Sequence, residues 1–222
     1  GPVPLGTPID WHTDFKSGHR FDLREHSTRI LPATYPGGHD IKVPWELSRF
    51  QHLAWLGQAW RLTGDERHAR EFVAQVTAWI ESNPRSFGVN WVCTMDVAIR
   101  VVNWLWAYDA LADAPALTDD FRARFERSLL AHGRHILGNL ERTGRITHNH
   151  YLSDVVGLAV LGLLCPGFRE AERWREFGLR ELWREVEKQV LPDGTDFEAS
   201  ISYHRLVTEL ILVPVLLCRS RG

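Results

Sequence analysis

Two short segments of the sequence bring together the side-chain types that proton transfer requires. Residues 147–152 read THNHYL and residues 200–205 read SISYHR, so each combines imidazole with amide, hydroxyl or phenol groups. Each also opens a predicted helix whose remainder is nearly uncharged, where a folding core has no use for such groups. A site that binds a sugar acid and moves a proton does have a use for them. Asn149, His150 and Tyr203 are the amide, imidazole and phenol of these segments that we single out.

The elements that must position these residues are helices. After Pro44 the apolar residues follow a helical period, which turn and capping signals divide into segments. The first 44 residues are rich in Pro and Gly, show no sustained period and predict an extended arm. We expect no strand. Helices are expected near residues 45–62, 66–82, 92–112, 118–142, 149–164, 169–190 and 199–219.

The charge of these segments predicts how they pack. The first, third, fifth and seventh carry few charged side chains, whereas the second, fourth and sixth carry many. A helix that is apolar nearly all round is buried, and a charge-striped helix covers the outside. Because short loops make successive helices antiparallel, the four apolar helices should run in one direction. The prediction is an all-α fold, an incomplete (α/α) toroid of antiparallel helical hairpins with the apolar helices inside.

This arrangement would gather the N-terminal ends of the inner helices at one end of the molecule. Helix N-termini present unpaired N–H groups and a partial positive charge, which favour anionic ligands. We therefore expect a cleft that is rich in aromatic and amide groups and prefers carboxylates. The residues predicted to line it are Trp45, Glu46, Arg49, Asn90, Trp91, Asn149, His150, Tyr203, His204 and Arg205.

Composition argues against several classes of protein. The net charge of -2 disfavours non-specific nucleic-acid binding, which needs a basic face. Cys93, Cys165 and Cys218 are too widely spaced for a zinc site and odd in number for a disulfide framework. No uninterrupted run of 18 apolar residues predicts a membrane span. The chain begins at Gly1 without a signal peptide, so targeting signals do not give its location.

Several motifs, taken in order, resemble the N-terminal domain of the heparinase II/III-like polysaccharide lyases over most of residues 1–222. The resemblance implies an α/α toroid domain over residues 45–222 after the arm of residues 1–44. It also implies a C-terminal antiparallel β-sandwich domain, which is absent from this chain, and a periplasmic or secreted location. The motifs are 52–53 (HL) with 64–66 (GDE), 88–91 (GVNW), 95–100 (MDVAIR), 149–152 (NHYL), 192–194 (PDG) and 203–205 (YHR).

The family cleaves uronic-acid polysaccharides such as heparan sulfate and alginate by β-elimination. The resemblance implies that Asn149 neutralises the uronate carboxylate, and that Tyr203 removes the C5 proton and protonates the leaving oxygen. His204 and Arg205 would favour ionisation of that phenol. His150 would be the base for the opposite C5 epimer.

The partner implied is therefore an acidic polysaccharide, and neither a cofactor nor a metal is expected. Family members place further catalytic or substrate-binding groups on the second domain. The 222-residue chain alone is accordingly expected to be weak or inactive.

Structural interpretations of the same residues stay open. Asn149 could be no more than a helix N-cap, and Tyr203 a half-buried core residue. Trp45 and Trp91 could pack in the core rather than stack on sugars. A further group of charged residues on apolar helices could form buried ion pairs that fix the fold. That group is Glu46, Arg49, Asp96 and Arg100.

Two other functions also stay open. A glycoside hydrolase would need paired carboxylates across a cleft, for which Asp96, Asp193, Asp196 and Glu198 are available. The chain could instead be a non-catalytic glycan-binding domain. Release of an unsaturated sugar would distinguish a lyase from a hydrolase.

Overall fold

A computed structural model of the protein describes residues 5–31, 37–142 and 147–221. Within these ranges the regular structure is helical apart from one short β-ladder, which agrees with the all-α prediction. The helices are α1 (Lys42–Leu47), α2 (Leu53–Thr63), α3 (Glu66–Ser82), α4 (Thr94–Ala110), α5 (Asp119–Gly138), α6 (Asn149–Leu164), α7 (Ala171–Gln189) and α8 (Ile201–Arg221). Two 3-10 turns lie at Ser27–Arg29 and Val89–Trp91.

The chain forms two compact units, Gly1–Ala131 and His132–Gly222. The first unit holds the arm, α1 to α4 and most of α5, and the second holds the end of α5 and α6 to α8. The predicted boundary at residue 44 therefore separates elements that lie in one unit. Trp11 of the arm is itself a core residue, at 1% exposure.

The arm contains a strand pair that the sequence analysis did not expect. Strands β1 (Thr13–Asp14) and β2 (His19–Arg20) pair antiparallel, with Thr13 opposite Arg20. The buried Asp14 carboxylate supports the connecting turn because it accepts hydrogen bonds from the main-chain N–H of Lys16 and the Ser17 hydroxyl, at 2.9 and 2.6 Å. The expectation of no strand was wrong because side-chain bonds to the turn, and not an alternating apolar pattern, hold this ladder together.

The helix predicted at 45–62 is two helices. Helix α1 begins earlier, at Lys42, and the chain turns before α2 at Phe50, whose φ is 58°. Phe50 is fully buried and its ring packs against Trp11 and Trp104, with centroids 4.7 and 5.5 Å away. Burying this ring compensates a left-handed conformation that bulky residues rarely adopt. A helical period alone could not reveal this break.

The predicted layering is confirmed for α6 and α7. Almost every residue of α6 is buried, whereas α7 buries one stripe and exposes its charged face. The two helices pack with their backbones close together: a Cβ added to Gly162 would lie 2.4 Å from the Arg175 nitrogen, and one added to Gly178 would lie 2.5 Å from the Ala159 nitrogen. Glycine is required at both contacts because any side chain would separate the helices.

The layering prediction is wrong for α2 and α8, which were expected inside. In α2, Trp55 and Leu62 are 72% and 86% exposed, and in α8 only a stripe that includes Val207 and Leu210 is buried, against α6. Apolar composition shows that a helix can be buried, but burial also requires neighbours on both of its sides. Helix α4, the remaining apolar helix, is buried along most of its length.

Helix α8 also changes the expectation about membrane spans. Residues Ile201–Ser220 are long and apolar enough to cross a membrane, with a mean hydropathy of 1.5, and 17% of that window is buried. A criterion of 18 uninterrupted apolar residues excludes this segment because Arg205 and Glu209 lie within it. Length and composition do not by themselves distinguish a membrane span from a domain helix. Within its unit, α8 packs against α6.

Candidate active site

The candidate site in the second unit is built on the N-terminal end of α6. His148 is the N-cap of this helix, and its Nδ1 accepts a hydrogen bond from the main-chain N–H of His150 at 3.4 Å. Asn149 is therefore the first helical residue rather than the cap. Its side-chain amide does not cap the helix, so N-capping does not explain an asparagine at this position.

The Asn149 amide binds a carboxylate. Its Nδ2 donates to Oε1 of Glu198 at 2.7 Å, and its main-chain N–H donates to the same oxygen at 3.2 Å. Asn149 itself is 3% exposed. Because a carboxylate accepts and does not donate, the contact determines which end of the amide faces Glu198. The N-terminal end of α6 thus holds a negative charge with one side-chain donor and one main-chain donor, as the helix dipole favours.

His150 also has a carboxylate partner. Its Nδ1 lies 3.1 Å from Oε2 of Glu141, and its side chain remains 35% exposed. A carboxylate at Nδ1 favours the tautomer that carries its proton there and leaves the basic lone pair on Nε2. This is the arrangement that orients a histidine as a general base.

The remaining predicted catalytic residue, Tyr203, lies in the first turn of α8 and is 45% exposed. It follows Glu198 closely in the chain, and Glu198 contacts Asn149. The segment that leads into α8 therefore lies beside the N-terminal end of α6, so both helices begin at the same end of the unit. The exposure of Tyr203 also argues against a role as a core residue.

His204 and Arg205 have partners other than the one predicted. The His204 Nδ1 accepts a hydrogen bond from the main-chain N–H of Asp196 at 3.3 Å. Arg205 lies 3.8 Å from Glu209, with both side chains exposed. These contacts do not supply the support for Tyr203 ionisation that the sequence analysis assigned to the two residues.

Buried acidic and phenolic groups surround the start of α6. Burial raises the pKa of Asp154 well above its usual value, although one of its oxygens accepts a 2.7 Å bond from the main-chain N–H of Glu141. Burial, together with the nearby charge of Glu198, raises the pKa of Asp196. Burial and a 3.0 Å bond to Glu181 raise the pKa of Tyr151, so this phenol stays protonated at neutral pH.

The carboxylates considered for a hydrolase do not form a matched pair. Asp193 supports its own turn by accepting from the main-chain N–H and hydroxyl of Thr195, at 3.0 and 2.7 Å. Asp96 belongs to the first unit and is paired with Arg49. Asp196 and Glu198 are neighbours in the chain, but Glu198 is bonded to Asn149.

The predicted site residues of the first unit are mostly structural. Trp45 Nε1 donates to the Val89 carbonyl at 2.7 Å, and Asn90 Nδ2 donates to the Trp11 carbonyl at 2.8 Å. Trp45, Asn90 and Trp91 are 8%, 1% and 3% exposed, so their side chains pack in the core of the first unit. The indole N–H groups of Trp45 and Trp91 and the Nδ2 group of Asn90 thus all donate to main-chain carbonyls inside the unit.

The charged residues of the first unit form the internal network considered as an alternative. Arg49 pairs with the buried Asp96. Arg100 is fully buried, with its guanidinium 4.0 Å from the Trp79 ring centroid and 3.2 Å from the Asn90 carbonyl oxygen. Burial lowers the pKa of Arg100 to about 9, which still leaves it charged at neutral pH. Glu46 is exposed and takes no part in the Arg49–Asp96 pair.

Sequence reasoning missed the two carboxylates that hold the candidate site. Glu141 was assigned to the helix at 118–142, but α5 ends at Gly138, so Glu141 lies in the segment beyond the helix. Glu198 was considered only for hydrolysis, although its place between the 192–194 turn and α8 was a usable signal. Neither contact is local in the chain, so no spacing rule predicts it.

Comparison with known proteins now gives the family. A sequence model described as "Heparinase II/III N-terminus" matches residues 3–220. The chain belongs to this family. Heparin-sulfate lyase from Pedobacter heparinus is 29% identical over 178 residues, which are 78% of this chain and 26% of that protein. Heparin-sulfate lyase from Bacteroides stercoris is 28% identical over 185 residues, covering 74% and 27% of the two chains.

Solved structures share the fold of this heparinase II/III domain. The crystal structure of heparan sulfate lyase HepC from Pedobacter heparinus matches with a TM-score of 0.72 and 24% identity, over 99% of this chain and 31% of that one. A crystal structure of heparinase III matches with a TM-score of 0.71 and 22% identity, over 86% and 29%. The predicted fold class and the family resemblance are thus confirmed. The chain spans about a quarter of the length of the curated relatives it matches.

Proposed function

We propose that this protein acts, in the full product of its gene, as a polysaccharide lyase that cleaves a uronic-acid-containing polysaccharide by β-elimination. Its relatives are named heparin-sulfate lyases, which supports an acidic polysaccharide as the substrate class. The observation that carries the proposal is the carboxylate held by the side-chain and main-chain N–H groups of Asn149. A uronate carries the same chemical group, and the Asn149 amide has a second N–H that can donate to it.

The reaction needs such a donor at its first step. Removal of the C5 proton places negative charge on the adjacent carboxylate, which is already ionised and resists more charge. A preorganised amide at a helix N-terminus stabilises that developing charge without giving up or taking a proton. The electron pair of the broken C5–H bond forms the C4–C5 double bond while the C4–O bond breaks. The leaving oxygen then takes up a proton.

Tyr203 and His150 are the proposed proton-transfer groups. Tyr203 takes the C5 proton as the phenolate and then, as the neutral phenol, gives that proton to the leaving oxygen. Its exposed ring at the start of α8 gives it access to a ligand. His150, with Nδ1 against Glu141, would be the base when the C5 proton lies on the opposite face of the sugar ring. The C5 protons of the two epimers lie on opposite faces of the sugar ring. Two different residues are therefore needed as bases, one for each face.

An absorbance assay tests the function directly. β-Elimination leaves a C4–C5 double bond conjugated to the carboxylate, which absorbs in the ultraviolet, whereas hydrolysis leaves no such chromophore. The full gene product is incubated with a panel of polymers: heparan sulfate, heparin, alginate, hyaluronan and an uncharged glucan as control. We expect absorbance to rise with at least one uronic-acid polymer and not with the glucan. New reducing ends without absorbance would make the protein a hydrolase.

The same proposal extends to location. A lyase of this class meets polymeric glycans outside the cytoplasm, so we propose a periplasmic or secreted protein. Fractionation of source cells, with a cytoplasmic and a periplasmic marker enzyme as controls, tests this. Recovery of the protein with the cytoplasmic marker would contradict it.

A further inference from the structure

The Asn149–Glu198 contact assigns Glu198 a task that the family resemblance did not supply. We propose that Glu198 is a positioning residue, which holds the Asn149 amide with one N–H directed to the substrate carboxylate. This inference rests on the proposed function. It goes further by naming the group that orients the carboxylate-binding residue.

The two hydrogen bonds share one acceptor atom. Oε1 of Glu198 lies 3.2 Å from the main-chain nitrogen of Asn149 and 2.7 Å from its Nδ2. The main-chain bond anchors the carboxylate to the rigid first turn of α6, and the side-chain bond then fixes the amide relative to that turn. The side-chain torsions of Asn149 are thereby restricted to one arrangement.

This restriction decides what the amide presents to a ligand. An asparagine amide carries two N–H groups at one end and an oxygen at the other, and rotation about its last torsion exchanges them. The Oδ1 end repels a uronate carboxylate, whereas the Nδ2 end binds it. Glu198 accepts one of the two N–H groups, and in our proposal the second N–H is the one that binds the uronate carboxylate. The Oδ1 atom is buried and has no hydrogen-bond partner among the described residues.

The surroundings of Glu198 also favour a fixed position. Asp196, two positions earlier in the chain, is buried, with 3% of its surface exposed. The main-chain N–H of Asp196 donates to Nδ1 of His204 in α8, at 3.3 Å. The segment that carries Glu198 is therefore anchored to α8 on one side and to α6 on the other.

Four variants of the full gene product test the assignment: Glu198→Ala, Glu198→Gln, Asn149→Ala and the double variant Asn149→Ala/Glu198→Ala. Glu198→Ala removes the acceptor and frees the amide, so kcat should fall by roughly 10–10² while KM changes little, because small misplacements of a catalytic group cost about that much. Glu198→Gln keeps an oxygen in place and should restore most of kcat. Glu187→Ala, which removes an exposed glutamate of the same unit, is the matched control and should behave as wild type.

The double variant separates positioning from a general structural role. If Glu198 acts through Asn149, its removal adds no further loss once Asn149 is alanine, so the two effects are strongly non-additive. Additive losses would overturn the proposal, as would a Glu198→Ala variant with wild-type kcat. A lowered KM with unchanged kcat would also overturn it, because Glu198 would then compete with the substrate carboxylate.

A second measurement does not depend on turnover. The side-chain NH₂ resonances of Asn149, assigned by their loss in Asn149→Ala, should shift in Glu198→Ala and keep near wild-type positions in Glu198→Gln. Unchanged resonances in Glu198→Ala would contradict the contact itself. Failure of the proposed function has a different signature, namely wild-type turnover by Asn149→Ala whatever Glu198 does.

Discussion

The two compact units use buried polar groups in opposite ways. In the first unit, Arg100 is fully buried and bonds to main-chain carbonyls, and Arg49 is paired with a buried aspartate. In the second unit, carboxylates hold Asn149 and His150 at the start of a helix, and His150 keeps a third of its side chain exposed. The partners, rather than the residue types, distinguish the charged network of the first unit from the candidate site of the second.

The strongest test of this comparison is Tyr203→Phe. The substitution keeps the ring and removes the titrating hydroxyl, so elimination should be abolished. Folding should be nearly unchanged, because Tyr203 is 45% exposed. Absorbance assays on an accepted polymer and thermal melts measure the two effects. Turnover at the wild-type rate would show that Tyr203 is neither the base nor the acid.

Asn149→Ala should have the next largest effect on activity. It removes a preorganised donor to the developing negative charge, and losing one donor of this kind typically lowers kcat by about 10²–10³. Thermal melts accompany the kinetics, because the variant also leaves Glu198 with fewer hydrogen bonds. A variant with lost activity and a wild-type midpoint supports the site. A loss of activity that merely follows the unfolded fraction contradicts it.

Arg49→Met, in the first unit, should lower stability rather than activity. It leaves the buried Asp96 without its charge partner, which should destabilise the fold by roughly 3 kcal/mol, with turnover per folded molecule unchanged. Denaturant titration measures the free energy of unfolding. The double variant Arg49→Met/Asp96→Asn is the control and should recover part of the loss, because no unpaired charge remains. A drop in turnover of the folded Arg49→Met protein would indicate that Arg49 contributes to activity.

The smallest expected effect is the acid sensitivity that Asp14 gives the first unit. Burial by itself raises the pKa of this carboxyl, but hydrogen bonds from Ser17 and from main-chain N–H groups outweigh it and lower the pKa from 3.8 to about 2. The folded state therefore gains stability from Asp14 above about pH 4 and loses it as the pH falls toward 2.

Asp14→Asn should accordingly lower the thermal midpoint at pH 7 by a few degrees. Between pH 4 and pH 2, the midpoint of the variant should decrease less than that of the wild type. Melting curves at several pH values measure this, with Asp113→Asn as the control on an exposed carboxyl of the same unit. An equal acid slope in wild type and Asp14→Asn would contradict the assignment.

Local signals in the sequence predicted several elements to the residue. The helices expected at 66–82 and 149–164 are α3 and α6 with the same bounds, because a capping aspartate or a polar first turn begins each of them. The break at Phe50 could not be predicted in this way, since its left-handed conformation is compensated by rings that lie far away in the chain. Apolar composition likewise could not show that α2 and α8 are exposed.

For the candidate site, the sequence predicted Asn149, His150 and Tyr203 as candidates and placed Asn149 and Tyr203 in first turns of apolar helices. Side-chain type and helical period are local properties, so they can be read from one chain. The contacts of Glu198 with Asn149 and of Glu141 with His150 became visible only in the folded protein, as did the burial of Trp45, Asn90 and Trp91. Those outcomes depend on which distant segments pack together, and that is set by the burial of the whole core rather than by any spacing along the chain.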